Sequence, residues 1–508
     1  MKHFFTAFAL IVSGFAYSQS AELTPVIDIG TQTVAVNVPA KFTNSFPSGK
    51  TLKISSKYNV SVFQAGGLSK PRFLAFSPTG VLHVSDMNAG KVFALPDVNK
   101  DGIADTLLEV ASGFSGNHDI KFYKGALYVT ETTRIWKCTD TDGNGVYETK
   151  TIFINNLGNN GTSGHTTRTI VFDSINHKVY VSVGSSCNVC REDNRAIIEQ
   201  YNEDGSGRRV FASGIRNAVG MALHPVTNRL WANNNGSDLQ GNEIPPEWID
   251  IVRDNGFYGH PFAYGSGVWF DFNANPAYQA LLPITSVDSA KVAKLLQPAA
   301  LVRAHSAPMA IEFINHKGAS TQFQNGFLTA LRGSWNTTNP KAFRGYKVIY
   351  GHLSSEQDTT VDYVGDFCSG FLTDTVNQTF WGRPVGIAID NNGKVYISSD
   401  DGNKFILVLT PIEVTGVQEE SIALAASTVY PNPAQSQFTL NVILTQTTKV
   451  RAVLYDIAGK ELRSLLDETL SSGSQSQQLD INGLTPGYYL LKITAGNTIH
   501  NHKLLLKN

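Results

Sequence analysis

The sequence predicts an all-β protein: a six-bladed β-propeller followed by a small C-terminal β-sandwich. Three observations carry this expectation. Helix-promoting runs are scarce, while Gly, Thr, Val, Tyr and Phe are plentiful in a chain that is 42% hydrophobic. A unit of polar or Pro/Gly start, apolar strand, turn and second apolar strand recurs along the chain. Its first four copies are spaced by about 50 residues, close to the length of a propeller blade. Finally, the composition shifts after "FILVLTPIEV", and a separate set of short alternating strands follows.

Residues 1–18 read as a secretory signal: a charged start, an apolar run and a small-residue end, with cleavage after Ser18. The apolar run is short for a membrane anchor, and no later segment is long and apolar enough to span a bilayer. The sequence therefore predicts an exported protein, secreted or attached to the cell surface, with no transmembrane anchor. The 41 basic and 42 acidic residues balance, so nothing points to nucleic acid.

Residues 19–66 form an N-terminal segment leading into the propeller, which is assigned to residues 67–412. The repeats are "KPRFLAFSPTGVLHVSD", "NHDIKFYKGALYVTET", "TRTIVFDSINHKVYVSVG", "RNAVGMALHPVTNRLWANN", "APMAIEFIN…GFLTALRGSW" and "GRPVGIAIDNNGKVYISSD". No unit buries both of its faces alone, so stacking around an axis has to supply the core. The residues that start the inner strands then line one mouth of the central channel. His118, His165, Arg216, Asn217, Pro308 and Arg383 hold that equivalent place.

Four cysteines enter an oxidising compartment. Cys187 and Cys190 are close enough in sequence for a local disulfide. They lead into "REDNR" with no βαβ pattern around them, which favours a structural bridge over a redox pair. Cys138 and Cys368 pair or stay free. Two acidic loops stand out. "DVNKDGIAD" spaces Asp97, Asn99, Asp101 and Asp105, and "DTDGNGVYE" spaces Asp140, Asp142, Asn144 and Glu148. Both match the start of an EF-hand-like calcium loop and lack its final Glu. The same residues also suit metal-free turns, so a structural calcium and a plain turn are both open.

Residues 413–427 read as a linker and 428–508 as the terminal domain. Its "YPNP" start and "LTPGYYLLKI" close resemble the C-terminal sorting domain of type IX secretion cargo. That resemblance implies passage through the type IX machinery across the outer membrane. An accessory adhesion or carbohydrate-binding sandwich is the alternative.

The chemistry concentrates at the channel mouth. His165 titrates in a range suited to a general base. Arg216, Arg332, Arg344 and Arg383 offer forks for carboxylates. "NNNGSDLQGNE" is rich in carbonyls that suit a cation. From about Gly67 to Leu409 the chain resembles the soluble glucose/sorbosone dehydrogenase family, including pyranose dehydrogenases that use pyrroloquinoline quinone (PQQ). The segments carrying the resemblance are "GHTTRTIVF", "GIRNAVGMALHP", "NNNGSD…NEI", "DNGFYGHP" and "GRPVGIAIDNNGKVYISSD". It implies a PQQ- and calcium-dependent sugar or aldose dehydrogenase that oxidises a C1 hydroxyl and passes electrons to a separate acceptor. It further implies His165 as the base and Arg216 and Asn217 as contacts of the quinone. The backbone carbonyls of Gly236 and Ser237 would be ligands of a calcium ion, and Arg383 would hold a cofactor carboxylate. Arg332 stands where the family commonly has a lysine, and His118 is a further pocket residue. Two positions depart from glucose-oxidising members: Gly164, where those have an acidic residue, and Ser237, where they have proline. Two other classes remain open: a non-catalytic propeller that binds glycan or protein, and a calcium-dependent propeller lactonase.

Overall fold

The computed structural model describes residues 21–314, 321–337, 343–412, 424–444, 447–457, 459–496 and 498–507. The signal segment and most of the linker lie outside these residues. Among them, the two α-helices are short, Pro276–Gln279 and Ser286–Val292, and nearly all other regular structure is strand. The chain is all-β.

Six antiparallel sheets follow one another. The first contains Pro71–Phe76, Leu82–Asp86, Lys91–Leu95 and Leu108–Ser112; the second Ile120–Tyr123, Ala126–Thr130, Ile135–Thr139 and Thr149–Ile154. The third runs from Ile170–Asp173 through Lys178–Val183 and Ile197–Asn202 to Arg209–Ser213, with Gly256–Phe257 added in parallel. Met221–Leu223, Leu230–Asn234, Glu247–Ile251 and Ala300–Val302 make the fourth. In the fifth, Pro308–Ile314, Gly326–Leu331, Lys347–His352 and Tyr363–Ser369 are extended outward by Thr51–Ser55 and Thr31–Ala35. The sixth has Gly382–Ile389, Val395–Gly402 and Phe405–Pro411.

The fourth strand of the sixth sheet is Tyr58–Ala65, paired antiparallel with Phe405–Pro411. It comes from the segment read as a lead-in before residue 67, so the N-terminal segment is built into the last sheet. This long-range pairing ties the start of the chain to its far end.

The apolar core sits between successive sheets, in six clusters. Val92 meets Leu127 between the first and second, Tyr128 meets Ile170 between the second and third, and Ile198 meets Met221 between the third and fourth. Trp231 meets Phe327 between the fourth and fifth, Val348 meets Val385 between the fifth and sixth, and Phe63 meets Leu74 between the sixth and first. Each sheet covers both of its faces with neighbours near the axis, which explains why second strands such as Leu82–Asp86, Ala126–Thr130 and Gly326–Leu331 are buried throughout, while outer strands such as Thr149–Ile154 are largely exposed. The first strands of all six sheets touch in cyclic order and surround a central axis.

Residues from Leu424 onward form two further sheets. Leu424–Tyr430, Gln437–Leu444 and Gly473–Asp480 face Glu461–Leu470, Thr448–Tyr455, Gly487–Ala495 and Thr498–Leu506. They enclose a core of their own that includes Phe438, Leu440, Leu454, Leu491 and Leu504. No helix among the described residues is long and apolar enough to cross a membrane.

Candidate functional site

The segments just before the inner strands carry the polar groups. His165 lies in an irregular stretch five residues before Ile170, and Arg216 and Asn217 precede Met221. Gly184 brings them together. A Cβ there would sit 2.6 Å from Asn217 Oδ1 and 2.7 Å from His165 Cβ, so this contact requires glycine. Asn217 is buried, and its Oδ1 has no hydrogen-bond partner.

The ring of His165 is held at one nitrogen. Nδ1 lies 3.0 Å from the Ser185 carbonyl oxygen and 3.0 Å from Ser185 Oγ. A carbonyl can only accept, so Nδ1 carries the proton and Nε2 is left with a free lone pair. Two buried guanidinium groups fix the surrounding backbone. Arg195 donates to the carbonyls of Gly184, Ser163, His165 and Ser185, and Arg168 to those of His165 and Thr167. Burial, and secondarily the Arg216 charge, push the His165 pKa down to about 4. His165 is therefore neutral at pH 7, as a base must be.

Gly164 gives a physical reason for the first departure from the glucose-oxidising pattern. Its φ is +66°, and a Cβ would lie 2.4 Å from the Ser186 backbone. The backbone leaves no room for an acidic side chain before His165.

Arg216 is buried and fully engaged. It donates to the Asn188 carbonyl at 3.0 Å, Asn188 Oδ1 at 3.0 Å, the Gly236 carbonyl at 2.6 Å and Asp238 Oδ2 at 3.2 Å. Asp238 also meets His305 Nδ1 at 3.4 Å and accepts from Asn336 Nδ2. Burial alone would raise the Asp238 carboxyl, but His305, Arg216 and Asn336 outweigh it and hold it below its ordinary value. Burial likewise opposes charge on His305, yet the hydrogen bonds to Asp238 and to the Gly241 carbonyl raise it. Glu247 accepts from the Gly236 N–H, and its burial pushes it up to about 7. His260 is buried near Arg216 and His165, and its Nε2 has no partner.

A second, cationic group gathers Lys70, Arg72, Arg332 and Arg383 around Asp400 and Asp401. Arg72 bonds Asp400, and Arg332 Nε donates to Asp400 Oδ1 at 2.8 Å. Arg383 donates to the carbonyls of Arg332 and Gly333 and lies 3.6 Å from Asp401. Four cations face two carboxylates. The excess shows in Lys70, whose pKa is lowered first by burial and then by Arg72. The segment after Gly326–Leu331 joins the two groups, because it carries both Arg332 and Asn336.

The structure thus brings together His165, Arg216, Asn217 and Gly236, and separately Arg332 and Arg383. One expected role changes. His118 is completely buried, packed on Phe73, and its Nδ1 accepts from Arg72 Nε at 3.1 Å. It orients Arg72 instead of lining the mouth. The Ser237 side chain is buried and accepts from the Tyr278 hydroxyl at 2.8 Å, a contact that does not use the backbone carbonyl expected to serve as a ligand. Cys187 and Cys190 are bonded, while Cys138 and Cys368 are both free and buried. In the acidic loops, Asp140, Asp142 and Glu148 bring carboxylate oxygens within 4.8 Å of one another. Asn144 hydrogen-bonds Asp142 and Val146. In the other loop Asp97 accepts from Asp101 and Gly102, Asn99 pairs with Asp101, and Asp105 accepts from Val98. These carboxylates satisfy local turns, and the three acids do not gather as those of the second loop do.

Sequence reasoning missed Lys70, Arg72, Ser185, Asn188, Asp238, His305 and Asp400. Lys70 and Arg72 had a usable signal, since "KPR" opens the first repeat where "GRP" opens the sixth. Asp400 ends the sixth repeat as Asp86 ends the first, whereas Ser185, Asn188, Asp238 and His305 lie in loops with no periodic mark.

Residues 52–256 and 272–411 match the sequence profile of the TrAA12-like family, and residues 428–507 match the secretion system C-terminal sorting domain. A protein of Borreliella burgdorferi described as uncharacterized is 26% identical over 368 residues, covering 70% of this chain and 90% of the relative. Among solved structures, the calcium structure of the Trichoderma reesei carbohydrate-active enzyme of family AA12 superposes with a TM-score of 0.60. It is 19% identical, over 73% of this chain and all of the other. The holo form of the pyranose dehydrogenase PQQ domain from Coprinopsis cinerea gives 0.58 at 20% identity, over 74% of this chain and all of that domain.

Proposed function

Because the chain belongs to the TrAA12-like family of PQQ-dependent sugar dehydrogenases and ends in a secretion sorting domain, we propose that it is an exported PQQ- and calcium-dependent dehydrogenase. It oxidises the C1 hydroxyl of an aldose or pyranose on a six-bladed propeller. The terminal domain is a β-sandwich that directs the protein through type IX secretion, and a separate acceptor takes the electrons.

The observation that carries this reading is the pairing of a neutral His165, with a free Nε2, and a cationic cluster in excess over its acids. PQQ has three carboxylates, so a site for it needs surplus positive charge. Lys70, Arg332 and Arg383 supply that surplus, as bidentate or point-charge partners. The unpartnered Asn217 Oδ1 suits a contact to the polar ring edge, while Arg216, whose donors are taken by Asn188, Gly236 and Asp238, contributes its charge beside it. For calcium, the Gly236 carbonyl has two lone pairs and Arg216 uses one. Asp238 adds negative charge beside it, and Ser237 supplies the adjacent carbonyl.

When bound, PQQ supplies an electrophilic ortho-quinone carbonyl that accepts hydride, and calcium acts on it as a Lewis acid. His165 Nε2 takes the C1 hydroxyl proton. Ser185 and Arg195 keep the ring fixed while that charge develops. Arg216, tied to Asp238, keeps positive charge beside the reacting centre. The fixed Gly164 turn excludes an acidic side chain next to the base, so substrate selection differs from that of the glucose-oxidising pattern.

Reconstitution tests the proposal. Purified protein is titrated with PQQ and calcium while quinone absorbance and dye reduction are followed over a panel of sugars. Saturable quinone binding with sugar-dependent reduction is expected; no quinone binding overturns the assignment. Calcium alone reads the Asp140 loop. A rise in melting temperature that is lost in Asp142→Asn supports a structural ion there, and no calcium-dependent rise removes it.

The acid limb of turnover gives a further expected result. Protonated His165 cannot accept a proton, so kcat falls as pH drops through about 4 and is unaffected by this group near the ordinary imidazole range. An acid limb near pH 6.5, with the enzyme still folded, contradicts this environment for His165.

A further inference from the structure

The Cys187–Cys190 loop sits between the two groups that the proposed chemistry uses. On one side Ser185 N–H donates to the Arg216 carbonyl at 2.7 Å, and the Ser185 carbonyl accepts from the His165 N–H at 2.9 Å. Ser185 Oγ donates to the Cys187 carbonyl at 2.7 Å. Its proton is thereby committed, and toward His165 Nδ1 the hydroxyl can only accept. On the other side, the Asn188 carbonyl and Oδ1 accept from Arg216 Nε and Nη2. Asn188 Oδ1 also accepts from the Asp238 N–H at 2.8 Å, and its Nδ2 donates to the Asp238 carbonyl at 3.1 Å.

The loop is tethered at both ends. Val189 is buried among Phe262, Tyr264 and Tyr278. Arg191 donates to Asp288 Oδ2 and to the Leu281 carbonyl, and Glu192 accepts from Ser186 N–H and Oγ. A loop of four residues without regular secondary structure thus touches Ser185 through the Cys187 carbonyl and binds one edge of Arg216 through Asn188. An open loop of this kind would sample many conformations, and a covalent closure removes most of them.

We propose that the disulfide-closed loop Cys187–Cys190 is a positioning element for the site: it sets the His165 tautomer through Ser185 and the orientation of Arg216 through Asn188, and the bridge keeps both in register. The inference rests on the reading of His165 as the base. Ser185 and Asn188 are positioning residues that act through His165 and Arg216. The bridge is redox-active only in the sense that an external dithiol opens it. Dithiothreitol gives two electrons and two protons, leaving Cys187 and Cys190 as thiols and itself as the cyclic disulfide.

The test compares wild type, Ser185→Ala, Asn188→Ala and the double variant Cys187→Ser/Cys190→Ser. Nitrogen-15 NMR of the histidine rings in the PQQ-free protein reports the tautomer without any need for turnover. Wild type is expected to show His165 protonated at Nδ1. The double variant is expected to show a mixture with the Nε2–H form, whereas Ser185→Ala, which keeps the carbonyl acceptor of Nδ1–H, is expected to keep the tautomer and to act through the lost Cys187 contact on kcat. In the reconstituted enzyme kcat falls by about 10- to 100-fold in all three variants, the scale typical of lost orienting contacts, while KM for the sugar changes little. If the double variant does not fold, dithiothreitol treatment of folded wild type replaces it, with the same expected changes. An unchanged tautomer signature after opening of the bridge, together with unchanged kcat there and in Ser185→Ala, overturns the proposal. If His165→Ala retains turnover, the base assignment fails, and the NMR signature still decides whether the loop places the ring.

Discussion

Replacing His165 with alanine is expected to reduce turnover to the background of the assay while quinone affinity stays within a few-fold of wild type. The imidazole is neutral, open at Nε2 and only partly buried. Its neighbour His260 is buried, and nothing shows it to be reachable. General-base contributions are typically about 10²- to 10⁴-fold, and in the proposed function the quinone's carboxylates are assigned to Arg332 and Arg383, away from this ring. Stopped-flow reduction of the bound quinone by sugar, beside an absorbance titration for its binding, separates the two effects. Reduction at near wild-type rate sinks the assignment. A parallel loss of quinone binding shows instead that His165 holds the cofactor.

Arg332→Ala carries the second largest expected effect, on binding. Arg332 stands between Asp400, at 2.8 Å, and Asp401, at 3.6 Å, on the side of the cluster with excess positive charge. Its removal leaves Asp400 still bonded to Arg72, so the fold is retained. The cluster then loses half of its surplus charge. Truncating one partner of a buried charged pair costs about 2–5 kcal/mol, so PQQ affinity is expected to fall by roughly 30-fold or more. Arg332→Lys, which restores the charge without the fork, is expected to recover part of it. The measurement is a PQQ titration at two salt concentrations, because an electrostatic loss also flattens the salt dependence. Equal affinity in wild type and Arg332→Ala places the carboxylates elsewhere.

The site was legible in the sequence to the extent that it obeys the repeat. Equivalent positions in a repeating unit occupy equivalent places around an axis, so the residues before the inner strands stood out: His165, Arg216, Asn217 and Arg383. The same rule also selects His118, and there it misleads. That position is equivalent in register, but its side chain turns against Phe73 and Arg72, a choice made by local packing. Asn188 and Asp238 carry no periodic mark. Arg72 and Asp400 meet across 328 residues of sequence, and nothing near either of them announces the pair.

What the sequence determined by itself was the all-β class, the recurring unit and the change of composition before the terminal domain. Each of these is local, because strand alternation, turn chemistry and repeat spacing are written within a few residues of one another. Only the tertiary structure decided that Tyr58–Ala65 completes the last sheet, that Arg216 already spans Asn188, Gly236 and Asp238, and that His165 carries its proton on Nδ1. It also decided that the CxxC loop lies against both His165 and Arg216. These features are pairings between distant segments. Their free energy comes from burying polar groups with the right partner, and the partner is chosen by how the six sheets stack, not by the residues alongside.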